Sequence, residues 1–262
     1  MDLISEHGYR QDGRTARQLR ACTCQMGIYE QADGSAYIQM GNTRVLCAVY
    51  GPHETKYRAR MDENKALINC QYSMATFSTT ERKLKPRGDR KSQEFTQHLQ
   101  KTFNSVIITE QYARSQIDIF CEILQADGSN LAACINAASL ALCDAGIQMR
   151  GLVVACQSAC VTIGSQTEPT TIVDLSHAEE GGGNARCTLA LLPNHDNQMV
   201  LMEMDNRLHI DHLESLLETA SSACRQMHDR VLKPHLQTHL AQTALKLGAT
   251  ATGAPQASLS MD

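Results

Sequence analysis

The chain has 262 residues, a formal net charge of −4, 42% hydrophobic and 20% charged residues. That length can bury a sizeable core as one large domain or two small ones, and the composition is ordinary for a soluble globular protein. The mild acidity excludes a global electrostatic pull toward nucleic acid, no apolar run approaches the ~20 residues that cross a bilayer, and Met1 to Glu6 lacks the pattern of a secretory signal, so the chain is expected inside the cell and off membranes.

In chain order, residues 8–18 are polar and turn-rich and carry Arg10, Arg14 and Arg17. From about 20 to 52 the pattern is that of two or three strands, with Ala32-Asp33-Gly34 and Gly41-Asn42 as hairpin turns and Gly51-Pro52 ending the last strand. A charged loop over 53–65 leads to a strand over 66–74. The segment from Glu81 to Lys91 then holds six basic residues, Arg82, Lys83, Lys85, Arg87, Arg90 and Lys91, against two acids. Asp89 is placed to cap a helix in which Phe95, Leu99, Phe103, Val106 and Ile107 recur at spacings of three and four. Arg90 and Lys91 therefore fall in its first turn, where the helix dipole disfavours cations and an external anion would relieve them.

Alternation from Ile117 to Leu124 predicts a strand, Gly128 a turn, and the alanine-rich segment from Leu131 onward a helix stopped by Gly146. Free N–H groups at such a junction form a natural anion site. Strands follow at 152–156 and 171–176, and a hairpin pairs 186–192 with 198–204. Leu213 to Val231 marks a long amphipathic helix bent at Pro234, and a tail over 248–262 is expected to be disordered. The layout is α+β, read as one mixed sheet with helices on one side. The expected organisation is an arm over 1–17, a single domain over 18–247, and the tail.

Eleven cysteines, an odd number, sit mostly within apolar runs and read as reduced core residues. Cys22-Thr23-Cys24 and Cys156 with Cys160 lack zinc spacing, and the histidines form no complementary pair, so neither metal nor cofactor is expected.

Several ordered blocks resemble the RNase PH family and, within it, the ring subunits of the eukaryotic RNA exosome. They are Gly8-Tyr9-Arg10-Gln11-Asp12-Gly13-Arg14, Gln31-Ala32-Asp33-Gly34-Ser35-Ala36-Tyr37, Gly41-Asn42-Thr43 and Val49-Tyr50-Gly51-Pro52, then Gly88-Asp89-Arg90-Lys91-Ser92, Arg114-Ser115-Gln116-Ile117-Asp118, Leu124-Gln125-Ala126-Asp127-Gly128 and Asp174-Leu175-Ser176-His177. The resemblance implies an RNase PH-like fold, with two β-α halves of the ribosomal protein S5 domain 2-like type. It also implies a hexameric ring around an RNA channel. The implied partners are channel-threaded single-stranded RNA, other RNase PH-like ring subunits, S1/KH cap subunits and associated hydrolytic exoribonucleases, in nucleus, nucleolus and cytoplasm.

Active family members degrade RNA from its 3′ end with orthophosphate. They use a Gly-Gly-Thr-Arg loop after Gln-Ala-Asp and two aspartates, usually with Mg²⁺. This chain has Gly128-Ser129-Asn130-Leu131, with leucine in place of the arginine, and Asp174 followed by Glu180 in place of the second aspartate. Leucine offers no charge and no bidentate fork for phosphate. Asp174, Glu180 and Leu131 therefore read as remnants of a phosphorolytic site, and Gly128, Ser129 and Asn130 as a vestigial phosphate loop. Archaeal relatives carry an arginine pair where Arg90 and Lys91 stand, which assigns RNA-backbone contact to the basic stretch. The expected role is a non-catalytic, RNA-guiding ring subunit serving rRNA maturation and the turnover of mRNA and non-coding RNA. The alternatives are an active phosphate-dependent 3′-5′ exoribonuclease, with Arg114 or another cation replacing the lost arginine, and an RNA-binding α+β protein outside any ring.

Overall fold

A computed structural model describes residues 3–5, 7–55, 63–83, 87–161 and 170–246. Lys85 and the expected tail over 248–262 lie outside the described residues, as does most of the charged loop after Glu54. Among the described residues, β1 (Cys22–Met26), β2 (Gly34–Met40), β3 (Thr43–Glu54), β4 (Leu67–Met74) and β5 (Ser115–Gln125) form one sheet in the order β1-β2-β3-β5-β4. Only the β4–β5 pair among them is parallel. A second, antiparallel sheet contains β6 (Val154–Val161), β7 (Thr170–Val173), β8 (Ala185–Leu192) and β9 (Gln198–Asp205) in the order β7-β6-β8-β9.

Two strand boundaries differ from the sequence reading. β3 runs through Gly51-Pro52 to Glu54, because a register shift between Tyr50 and His53 takes the proline, which has no N–H to donate, out of the ladder. The strand expected over 171–176 stops at Val173, since Asp174 turns into the left-handed region at φ 54°.

The helices are α1 (Arg90–Val106), α2 (Asn130–Asp144), the single turn α3 (His177–Glu180), α4 (Leu213–Met227) and α5 (Lys233–Lys246). Every residue of α2 from Leu131 to Leu142 is buried. A helix apolar on all faces needs cover on all sides. It therefore lies between the two sheets, touching β2, β3 and β5 on one side and β6 and β8 on the other. The single mixed sheet of the sequence reading is thus corrected to two sheets with α2 between them. α1 crosses β4 and reaches β9, and α4 covers β6, β7 and β8. The buried Asn136 of α2 donates to Ala155 O at 3.0 Å and accepts from Ala155 N at 2.8 Å, which docks the helix onto β6 at a fixed height.

The bend expected at Pro234 takes the form of a π turn over His228–Leu232, immediately before the proline. The missing N–H and the ring's clash with the preceding turn force the ladder to widen there. No helix among the described residues is long and apolar enough to cross a membrane. The arm residues pack onto the second half: Ile4 is buried with Ala159, Val161, Ile172 and Leu175, and Val173 N donates to Ala16 O.

Gly34 marks how closely α2 approaches the first sheet, for a Cβ there would stand 2.3 Å from Ala141 O and 2.5 Å from Ala145 N. Gly34→Ala must push backbone against backbone, and we expect it to cost about 2–3 kcal/mol. Urea unfolding measures this; a change below about 0.5 kcal/mol, the range of an ordinary surface substitution, would refute the close approach.

Candidate functional site

The turn between β5 and α2 is formed by Asp127, Gly128 and Ser129, with Gly128 at φ 81° and Ser129 at φ 53°. Only glycine fits at 128: a Cβ would lie 2.4 Å from Leu175 O. The turn is thus pressed against the segment that connects β7 to α3. Ser129 Oγ donates to Leu175 O at 3.1 Å, and Ser129 N donates to Glu180 Oε1 at 2.9 Å. The anion at this helix N-terminus is therefore the chain's own Glu180. Its other oxygen stands 3.9 Å from Arg186 Nη1. Leu131 is 3% exposed and belongs to the core. Asn130 begins α2 with its Oδ1 buried and without a hydrogen-bond partner among the described residues.

A cavity of about 30 Å³ opens beside this turn, lined by Lys91, Asn130, Glu180, Arg186, Glu203 and Asp205 among others. At about 10–15 Å³ per water it holds two or three waters. Burial, helped by Asp205 and Glu94, pushes the Glu203 carboxyl up to about 7. Arg186 also donates to Asp205 at 2.9 Å.

Asp174, grouped with Glu180 in the sequence reading, faces different surroundings. It is fully buried, and its carboxylate accepts from Arg20 N at 2.8 Å, Arg20 Nε at 3.0 Å and Arg20 Nη2 at 2.6 Å. Arg14 Nη1 is 3.8 Å away. Burial alone would lower Arg20, and the Asp174 carboxylate more than offsets it, holding Arg20 above its ordinary value. The pair that the resemblance assigns to Mg²⁺ does not fit one, because Asp174's oxygens are already satisfied by a guanidinium. In this structure it forms a buried structural ion pair with Arg20.

Two further arginines of the arm join this cluster. Arg10 binds Glu179 through Nε at 2.6 Å and through Nη2, and donates to Val173 O at 2.6 Å and Asp174 O at 2.9 Å. Arg14 Nη1 donates to Asp174 O at 3.1 Å. Burial raises Glu179, but the Arg10 hydrogen bonds and the Ser176 N–H together hold it below the usual carboxylate range. Sequence reading placed three arginines in the arm without giving them work; the block from Gly8 to Arg14 was the available signal.

The basic stretch gathers at the same edge. Lys83 N donates to Thr76 O and Ala126 N to Ser78 O, so the loop after β4 abuts the turn before α2. α1 runs back along β4, with Thr96 Oγ1 accepting from Tyr72 N and Gln100 donating to Ile68 O. The N-termini of α1 and α2 thus border one cavity. Arg82, Arg87, Arg90 and Lys91 are exposed. Lys83 is half-buried, its Nζ 3.1 Å from Met74 Sδ. With the Gln71 amide oxygen turned toward it, Arg87 donates at 2.9 and 3.1 Å. Lys91 Nζ lies 5.5 Å from the Phe95 ring centroid, a cation–π distance. Asp89 stands at the N-cap of α1 with extended backbone, but its side chain makes no capping bond among the described residues, contrary to the sequence expectation. Arg114 is not part of the site. It sits before the first residue of β5, and the strand's 11 residues at about 3.3 Å each separate it from the turn. Of the two cations that line the cavity, Lys91 belongs to the expected basic stretch and Arg186 reads in sequence only as a strand residue.

Comparisons with known proteins agree with this fold. Residues 18–148 match the RNase_PH model, described as the 3′ exoribonuclease family, domain 1. The chain is 52% identical over 241 residues to the exosome complex component RRP41 of Homo sapiens, covering 90% of this chain and 96% of that one. It is 39% identical over 223 residues to the exosome complex component Rrp41 of the archaeon Methanopyrus kandleri, covering 85% and 90%. The crystal structure of rice Rrp46 superimposes with a TM-score of 0.73 at 24% identity, over 88% of this chain and 100% of that one, which shows a shared fold.

The buried Arg10–Glu179 pair yields a pH prediction. Glu179's folded value lies below its ordinary 4.5, so its contribution is complete above that pH and is lost as pH falls through the folded value. Glu179→Gln should cost about 3 kcal/mol near neutrality, since it leaves Arg10 buried and unpaired. The gap to wild type should close as the pH falls below 4.5. Urea titrations at several pH values measure it; a gap independent of pH would refute the assignment.

Proposed function

This chain belongs to the RNase PH family of 3′ exoribonucleases, and from that premise we propose that it is a non-catalytic ring subunit of an RNA exosome that guides single-stranded RNA. The observation that carries the reading is the contact between Ser129 N and Glu180, with Leu131 buried alongside. Phosphorolysis requires orthophosphate at the α2 N-terminus, a cation to neutralise it, and charge stabilisation as the linkage breaks. Here the N–H is taken by a carboxylate, the arginine's position is a core leucine, and Asp174 is consumed by Arg20. An anion placed at the turn meets the charge of Glu180 first.

The rim of the cavity suits a different task. Arg82, Lys83, Arg87, Arg90 and Lys91 present positive charge without a folded recognition pocket, which holds a phosphodiester backbone and reads no bases. The work of the chain in this reading is to form channel wall, to grip passing RNA, and to bind other RNase PH-like subunits and S1/KH cap subunits. Associated hydrolytic exoribonucleases do the cutting, in nucleus, nucleolus and cytoplasm. Active phosphorolysis is the second reading. It would rest on Arg186 and Lys91, the cations that line the cavity, in place of the missing arginine.

Incubating the assembled complex with single-stranded RNA, Mg²⁺ and orthophosphate separates the two. No phosphate-dependent release of nucleoside diphosphates is expected. Diphosphates that appear with phosphate and vanish in Glu180→Gln would overturn the non-catalytic reading. For the guiding role, the Arg90→Glu, Lys91→Glu double variant should assemble normally yet bind RNA more weakly. Its log-affinity against log-salt slope should be shallower by about two, one unit for each phosphate that the variant no longer neutralises. Unchanged RNA affinity would remove these residues from the RNA path.

A further inference from the structure

Outside the turn and its basic rim, one group of side chains has the composition and placement of an ion site. Glu94 and His98 stand four residues apart on α1, so both project from the same face. Glu203 comes from β9, on the other sheet, where α1 reaches across. One ligand atom from each of the three lies within 4.8 Å of the others, and His98 Nε2 is 3.7 Å from Glu203 Oε1. We propose that Glu94, His98 and Glu203 bind a divalent transition-metal ion that ties α1 to the second sheet.

Three features of this corner bear on the assignment. An ion at His98 Nε2 would take the imidazole's lone pair and fix the proton on Nδ1, which is buried and has no partner among the described residues, so the ion must also offset that unpaired donor. Among the described residues His98 is the basic group within 4.0 Å of Glu203; Lys91 and Arg186 line the same cavity, and Arg186 is engaged by Asp205 and Glu180. Gln157, 8% exposed, lines the cavity that Glu203 also lines, and its Oε1 likewise lacks a partner, so this corner is rich in acceptors. The spacing also suits a metal. Tetrahedral ligands at about 2.1 Å from an ion stand about 3.4 Å apart, so closure needs only a modest inward swing. Glu94 is exposed and free to make it.

One imidazole with two carboxylates selects zinc, manganese or cobalt over calcium and magnesium, which take oxygen donors. Three protein ligands leave a position for water. The three ligands do not include Asp174 or Glu180, although Glu203 and Glu180 line the same cavity, and the assignment stands independently of the ring reading. Its effect would be to fix α1, whose first turn carries Arg90 and Lys91, and to add positive charge near that rim.

The test uses the full chain freed of metal with a chelator and titrated with Co²⁺, whose visible absorption reports its ligands. We expect saturable binding of one ion per chain, with d–d bands and without the thiolate charge-transfer band that the chain's free cysteines would give. Zn²⁺ should raise the melting temperature in a concentration-dependent way, as a ligand specific to the folded state must. His98→Gln and Glu203→Gln should each weaken Co²⁺ binding by about tenfold or more and abolish the thermal shift, with apo circular dichroism unchanged. Should either variant misfold, Glu94→Gln alters an exposed side chain and must still weaken binding. No saturable binding, a thiolate band alone, or affinity unchanged in the folded variants would each overturn the proposal.

Discussion

Asp174 and Arg20 form the contact on which the two halves of the molecule depend. Arg20 lies just ahead of β1 in the first half, and Asp174 closes β7 in the second. Beyond its two bonds to Asp174, the same guanidinium donates to Asp127 O at 2.7 Å and to Gly128 O at 3.4 Å. One buried side chain thus holds the entry to β1, the turn before α2 and the end of β7 in register. Buried ion pairs of this kind contribute little net stability over a well-packed apolar substitute, yet removing one partner is costly. Their effect here is positional, since Asp174's left-handed backbone is what sends the chain from β7 back toward α3 and places Glu180 over the turn.

That placement explains how a fold suited to phosphate chemistry comes to hold an internal anion. The helix N-terminus after Gly128 keeps its outward N–H groups and its attraction for negative charge. The chain satisfies one of them with Glu180 and fills the neighbouring position with Leu131. Each change supports the other, because a carboxylate at the turn needs no arginine opposite, and a leucine there packs into α2's buried face. Of the cations nearby, Arg186 and Lys91 line the cavity, and Arg82, Arg87 and Arg90 are exposed on the first turn of α1 and the loop before it.

Much of this was legible in particular residues. Gly41-Asn42, Ala32-Asp33-Gly34 and Pro193 to Asn197 marked the hairpins because turn chemistry is local. Pro234 marked the break between α4 and α5 for the same reason. Leu131 and Glu180 could be read as departures once the surrounding motif was recognised. The two-sheet arrangement was not legible in the periodicity, although it matches the two β-α halves that the family resemblance implied. Periodicity reports which face of an element is apolar, and α2, apolar on every face, offered no direction from which to infer a second cover. Nor could it show that Arg10, Arg14 and Arg20 are buried, since arginines in a polar segment look like solvated charges until their carboxylates, about 150 residues away along the chain, fold back onto them.

Local sequence thus accounts for the elements, the turn that joins β5 to α2, the basic stretch before α1, and the leucine that follows that turn. Each is a property of neighbouring residues, set by backbone preference and side-chain chemistry. What those residues face was settled by tertiary packing alone. It separated Asp174 from Glu180, gave Ser129 N a carboxylate partner, moved Arg114 out of the site and Arg186 into it, and brought Glu203 to Glu94 and His98. Contacts between residues far apart along the chain depend on how whole sheets and helices pack, and a linear pattern carries no record of that distance.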